Sequence, residues 1–312
     1  MMRKILALFL VLVMAITFVA CDGEDLPSAE EIIEGMNQAV ADVRTGEFDM
    51  EMTMDVDAKV EGESGNANME MDASGVIDIE NSQAQMAMTM HEEATGEEDM
   101  DMEAEVYLVD NTLYFLTDAL GMMTDAFGME PTWMKLDISE MEGLPEGYWE
   151  QADLLEPQEE LLEFQPELLE ALEIEVTGSE RVDGIDCYVL ESNPDMERLW
   201  QIVMEMYKTT ELEMPDMTDM PEDFEDYLDE MFDSFTEKLW VAKDSYLPMK
   251  VEVEVTMEFT AEEMGSPDEG EVAADLFMSM LIFNYNQPVS IELPPEAENA
   301  IDIMDFLNYM EY

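Results

Sequence analysis

Phe48-Asp49-Met50-Glu51-Met52-Thr53-Met54-Asp55-Val56-Asp57-Ala58 is the stretch whose reading decides the fold. Every second side chain is apolar, and those between are acidic or carry a hydroxyl. That is the two-residue period of a β-strand with one dry and one wet face. The pattern returns in Ala67, Met69, Met71 and Ala73, with a change of phase expected at Gly75 before Val76-Ile77-Asp78-Ile79. It returns again in Ala84, Met86, Met88 and Met90, and in Met100, Met102, Ala104 and Val106. Gly62-Glu63-Ser64-Gly65-Asn66 supplies one turn. Asp110-Asn111 supplies another, folding Tyr107-Leu108-Val109 back onto Leu113-Tyr114-Phe115-Leu116. Trp133-Met134-Lys135-Leu136 reads as a further short strand. Such short connections imply antiparallel neighbours.

Upstream, the period changes to helical. Ile32, Ile33, Met36, Ala39, Val40 and Val43 recur at helical spacing behind Ser28 and Glu31, which form a capping-box pair, so residues 29–44 read as an amphipathic helix. Downstream, residues 149–172 carry Leu pairs interrupted by Pro157 and Pro166, the pattern of short helices. Ile174–Val182 and Ile185–Leu190 form a hairpin through Asp183-Gly184, a strong turn dipeptide. Pro194 opens a helix bearing Leu199, Trp200, Val203 and Tyr207. Residues 211–235 are an acidic insert whose first half is broken by Pro215 and Pro221 and whose later half, through Phe232, reads as an amphipathic helix. Lys238–Lys243, Met249–Phe259 and Leu276–Tyr285 read as strands, Pro288–Pro295 as extended chain, and 296–310 as a short C-terminal helix. This order predicts an α+β fold in which one antiparallel sheet packs on a few α-helices.

Composition narrows function before any motif does. The chain has 312 residues, 79 Asp plus Glu, 11 Lys plus Arg and a formal charge of −68. Nucleic-acid binding depends on cations that displace phosphate counterions, so that class of partner is excluded. A single His, His91, cannot build a three-imidazole zinc site. Yet 47% of the residues are hydrophobic, far too many for a disordered acidic tail. No Gly-x-Ser-x-Gly, phosphate-cradling Gly loop, His-Glu-x-x-His or spaced calcium loop is present, so the chain reads as non-enzymatic, without cofactor or metal.

The N-terminus carries an address. Arg3 and Lys4 precede the uncharged run Ile5–Ala20, which ends in Phe18-Val19-Ala20-Cys21 and then Asp22-Gly23-Glu24-Asp25. A basic head, a short apolar run and a small residue at the cut describe a secretory signal in residues 1–20. The junction resembles the bacterial lipobox, Leu-x-Gly/Ala-Cys, with Phe18 at the Leu position. That resemblance implies acylation of Cys21, residues 21–28 as lipidated N-terminus and linker, and an extracytoplasmic protein held on the bacterial cell membrane by its lipid anchor. Cys187 is then the one remaining cysteine, no intramolecular disulfide can form, and its alternating context reads as a buried small hydrophobe.

The chain carries 33 Met, and those of the alternating strands fall on the apolar side. Three readings fit a face paved with thioethers: ordinary core packing, a cavity for an acyl chain or other apolar ligand, and soft-ligand binding of Cu(I).

Taken in order, the lipobox, the N-terminal helix, the Met-rich strands and Trp133-Met134-Lys135-Leu136 lead to two longer stretches. These are Val182-Asp183-Gly184-Ile185-Asp186-Cys187-Tyr188-Val189-Leu190 and Leu239-Trp240-Val241-Ala242-Lys243-Asp244-Ser245-Tyr246-Leu247-Pro248-Met249-Lys250. The series resembles the LolA-like and LppX-like bacterial lipoprotein superfamily across most of residues 29–293. The resemblance implies a curved half-barrel of antiparallel strands on a helical lid, one domain over 29–312 with the acidic insert near 211–235 as a departure. It further implies an apolar cavity, here lined by Met52, Met54, Met71, Met88 and Met90 with Trp200 and Trp240 at its wall or mouth, that binds a lipid or acyl chain. An envelope sensor or scaffold with a filled cavity and a protein partner is the alternative.

Overall fold

The computed structural model describes residues 26–60, 63–96, 99–117, 132–138, 165–204 apart from 197, 200 and 203, 232–260, and 270–303. In chain order the elements are α1 (Ala29–Ala41), β1 (Thr45–Val60), β2 (Glu63–Asp78), β3 (Gln83–Ala94), β4 (Met100–Val109), β5 (Thr112–Thr117) and β6 (Met134–Asp137). Then follow α2 (Gln165–Leu172), β7 (Ile174–Val182), β8 (Ile185–Ser192), β9 (Phe232–Ala242), β10 (Pro248–Thr260), β11 (Gly270–Phe283), a 3-10 turn (Pro295–Asn299) and β12 (Ile301–Asp302). The strands join into one twelve-stranded sheet of order β12-β6-β5-β4-β3-β2-β1-β11-β10-β9-β8-β7. β3–β4, β4–β5, β5–β6, β7–β8, β8–β9 and β9–β10 pair antiparallel and β12 pairs parallel with β6, so the architecture is an antiparallel-dominated sheet with few helices.

Local chemistry sets the boundaries. The Glu31 N–H donates to Ser28 Oγ and the Ser28 N–H to Glu31 Oε2, both at 3.2 Å, which completes the capping box at the start of α1. Such a cap is worth about 1 kcal/mol. Asp110 and Asn111 at φ 50° and 59°, and Asp183 and Gly184 at φ 48° and 82°, give the left-handed pairs that two-residue hairpins need. β2 runs unbroken to Asp78, with Gly75 within it. A Cβ at Gly75 would stand 2.5 Å from the Phe48 ring and 2.7 Å from the Gln85 carbonyl oxygen, so only glycine lets the ring lie there.

Two expectations are corrected. The later part of the acidic insert is not helical where the structure describes it, because β9 already begins at Phe232. From there Phe235, Glu237, Leu239 and Val241 are all buried at alternate positions. A charged residue at an inward position disguised that period in the sequence. The C-terminal segment likewise forms a 3-10 turn and a short strand instead of a helix over 296–302. Pro295 sits at the start of the turn, and the chain then pairs Ile301 with Met134 alongside β6. Residues 205–231 and 304–312 lie outside the described residues.

Contacts gather into two compact units. The first draws on Met1–Ala41, Thr53–Asn68 and Pro157–Ser279. Its largest fully buried side chains include Ile32, Ile33, Leu172, Leu190, Val241 and Val253. Each such aliphatic residue contributes roughly 1.5–3 kcal/mol of burial. In register, Leu190 faces Leu239 and Leu239 faces Val251, a row on the sheet face that meets α2, where Ser192 Oγ donates to the Leu172 carbonyl at 2.5 Å. The opposite face carries ion pairs: Lys238 with Glu191 at 3.8 Å, and Lys250 with Glu252.

The second unit draws on Asp42–Met52, Met69–Glu156 and Met280–Tyr312. On one face, Met86 pairs with Val106, Met88 with Ala104 and Met90 with Met102, and the row continues through Val106–Phe115 and Phe115–Met134. On the other face, Tyr107 meets Trp133 edge-on at 5.7 Å, and Ala297 and Ala300 of the C-terminal segment close over them. The wet face expected on β4 is therefore dry at this end.

Candidate functional site

Alternation on β1, β2 and β3 places Met52, Met54, Met71, Met88 and Met90 half-buried, between exposed neighbours such as Glu51, Asp55, Asp72, Ala87 and Thr89. Met52, Met71, Met88 and Met90 belong to the second unit and Met54 to the first. The pairing brings Met88 and Met90 onto one face with Met86, Met102, Ala104 and Val106. The sequence reading stopped short of Leu113, Phe115 and Met134, which extend that apolar row across β5 and β6. Their strands are short and lack clear alternation, so only the register reveals which face they occupy.

Trp240 belongs to the first unit. It is buried on the ion-paired face of β9, its indole N–H donates to Glu180 Oε2 at 2.9 Å, and Lys250 Nζ stands 4.9 Å above its ring. Trp200 and Cys21 lie outside the residues whose side chains are described.

A groove of about 550 Å³ opens on the second unit. Its lining includes Glu51, Asp72, Thr89, Glu103, Glu105 and Leu116, with Met50, Met88 and Ala104 between them. The register pairs Thr89 with Glu103, and Glu105 with both Ala87 and Leu116, so most of this lining is on the face opposite the paired methionines. It is acidic along the strands and apolar at Leu116, which also packs on the Tyr107 and Trp133 cluster. His91 stands on the same face, hydrogen-bonded to Asp101 at 2.7 Å and Glu93 at 3.3 Å. Those two carboxylates, Asp101 first, hold its imidazolium above the ordinary range. Among the described residues no group of three or more His, Cys, Asp or Glu is placed to hold a metal ion.

Cys187 is buried and free, and burial pushes its thiol up, which suppresses the thiolate and with it nucleophilic chemistry.

The most unusual side chain of the described residues is Glu237. It is 2% exposed, and neither carboxyl oxygen has a hydrogen-bond partner. It pairs with Ser192 on β8 and Val253 on β10, on the apolar face that carries Phe235, Leu239 and Val255. Burial alone pushes its carboxyl up to about 8, so at neutral pH it is an uncharged acid able to donate as well as accept. Nothing in the sequence marks it out, since it is one Glu in a chain of 79 acids.

Comparison places the chain among known proteins. It belongs to a family of unknown function, DUF6612, whose model matches residues 28–302. A search of curated proteins finds no match. Among solved structures it is similar to the Mycobacterium tuberculosis lipoprotein LppX, at 11% identity over 84% of this chain and 97% of that one, with a TM-score of 0.33. LprF from Mycobacterium bovis aligns at 10% identity over 85% and 95%, with a TM-score of 0.33. A putative outer membrane lipoprotein-sorting protein domain from Vibrio parahaemolyticus aligns at 12% identity over 80% and 90%, with a TM-score of 0.17. Among the described residues no helix is long and apolar enough to cross a membrane.

Proposed function

We propose that this chain is an extracytoplasmic lipoprotein, anchored through acylated Cys21, that binds an apolar acyl ligand on its Met-paved sheet face. The observation that carries the reading is the state of that face. Met86, Met88 and Met90 are half-buried although their cross-strand partners are apolar throughout. Met249, Val251, Val253 and Val255, which alternate in the same way on β10, are buried. An apolar row left half-covered is a surface to which a chain of methylenes can add its own burial, about 0.8 kcal/mol per CH₂. Thioethers suit the task because Met has three flexible torsions and adapts to irregular apolar shapes. The alternate acidic residues keep the protein soluble at the membrane surface. Binding is the whole of the proposed activity, with no covalent step.

Two substitutions test this. Met88→Glu with Met90→Glu places two charges in the apolar row at half-buried strand positions. Titration of a fluorescent fatty-acyl probe should then show binding weakened by tenfold or more, with the far-UV spectrum retained. Unchanged binding would remove the Met face from the site. Separately, Cys21→Ser should move the protein from the membrane fraction to the soluble one.

A further inference from the structure

Residue choice on the apolar strand positions follows exposure. Where those positions are closed, in the first unit, they hold Leu239, Val241, Val251 and Val253, all buried. Where they stay open, on β3 and β4 of the second unit, they hold Met86, Met88, Met90 and Met102, all half-buried. Packing alone does not explain that choice, since β-branched residues suit a strand better. What a thioether adds to bulk is a sulfur lone pair, which can be shared with a soft metal ion or given to an oxidant. The register favours the oxidant. Successive methionines on one face of β3 stand about 7 Å apart, and between β3 and β4 only Met90 and Met102 are directly opposed. A row spread out in this way offers its sulfurs singly, where a metal ion would gather several.

The other described sulfurs are shielded. Cys187 is buried and burial raises its thiol, which suppresses the thiolate that an oxidant would otherwise take first. Met36, Met134, Met249 and Met278 are buried, and an oxygen added there would be a polar atom cut off from water. On the open row the same oxygen can turn to solvent, while the backbone ladder between β3 and β4 stays intact. The charge of −68 repels anionic oxidants and leaves neutral ones unopposed. We propose that Met86, Met88, Met90 and Met102 form a reversible oxidation site that takes the terminal oxygen of neutral peroxides. Each sulfur attacks that oxygen, and an S–O bond forms as the O–O bond breaks. The departing oxygen keeps the hydroperoxide's proton and leaves as an alcohol, or as water from hydrogen peroxide. The sulfur loses two electrons and the peroxide gains them. A thiol-fed sulfoxide reductase reverses the change, with the oxygen released as water and the thiols joined as a disulfide. The site stands whether or not this face binds acyl chains.

The test exposes the mature Cys21→Ser protein to hydrogen peroxide or to cumene hydroperoxide and follows each methionine by peptide mass spectrometry. The row should gain oxygen at least about tenfold faster than Met36, Met134, Met249 and Met278, with the far-UV spectrum retained. Reductases for both sulfoxide epimers should then restore the thioethers. Faster reaction with cumene hydroperoxide would assign the oxidant to organic hydroperoxides, and faster reaction with hydrogen peroxide to the small aqueous species. Peroxymonosulfate, an anion, should oxidise the row more slowly at low salt than at high salt, a dependence that neutral peroxides should lack. Met86→Leu combined with Met88→Leu, Met90→Leu and Met102→Leu keeps the apolar bulk and should lower peroxide consumption by the folded protein. Consumption unchanged by those four substitutions, one rate for open and buried methionines alike, or unfolding as the row oxidises would overturn the site.

Discussion

Glu237 makes the folding free energy of this chain depend on pH in a defined window. Unfolded, its carboxyl ionises near 4.5; folded, burial holds the proton to about 8. The native state therefore binds more protons than the unfolded one between those values. Stability from this residue is intact below about 4.5 and is lost as pH rises to about 8. Glu237→Gln should abolish that decline. Denaturant unfolding of the two proteins between pH 4 and 9 should show their stabilities diverging in the variant's favour, by an amount on the order of a few kcal/mol. Parallel pH curves would mean that the carboxyl is solvated. At this scale the sequence was informative where a residue acts on its own backbone. Ser28 and Glu31 announced their reciprocal cap, and Asp110-Asn111 and Asp183-Gly184 their turns. Glu237 stayed hidden because its environment is set by residues on β8 and β10 that lie far away in the chain.

Among the elements, strand period was the most legible signal. β1, β3, β4, β7, β8 and β10 follow from alternation because one face of each is consistently apolar. The misreading lies in β9, where Glu237 breaks the apolar alternation of Phe235, Leu239 and Val241. The helix α1 carries a similar exception. Gly35 lies in its middle, where glycine costs about 1 kcal/mol relative to alanine. The residue is needed because a Cβ there would stand 2.5 Å from the ring of Tyr246, itself fixed at φ 58° in the turn between β9 and β10. Gly35→Ala should therefore lower the melting temperature despite its better helix propensity. Adding Tyr246→Ala should remove that penalty, so the double mutant cycle reads the clash directly. Additive effects would show that the helix and the turn do not touch.

For the whole molecule, the −68 charge and the 33 Met belong largely to the two sides of the same alternating strands. The acid face was legible as a solvated surface, and the Met face as the place where a function could lie. Pairing adds what periodicity could not: Met86, Met88 and Met90 lie in register with Val106, Ala104 and Met102 and remain half-covered. It also separates the faces, with the groove of about 550 Å³ on the carboxylate side and Trp240 tied to Glu180 on the ion-paired side of β9. These placements depend on contacts between distant strands, which a single sequence does not spell out. Acyl binding is the claim on which the functional account turns. Native mass spectrometry of the mature Cys21→Ser protein, purified without detergent and then offered a neutral diacyl lipid, measures it most directly. The account predicts a co-purifying species in the lipid mass range, or one-to-one uptake of the added lipid. An unaltered apo mass both before and after the addition would contradict it.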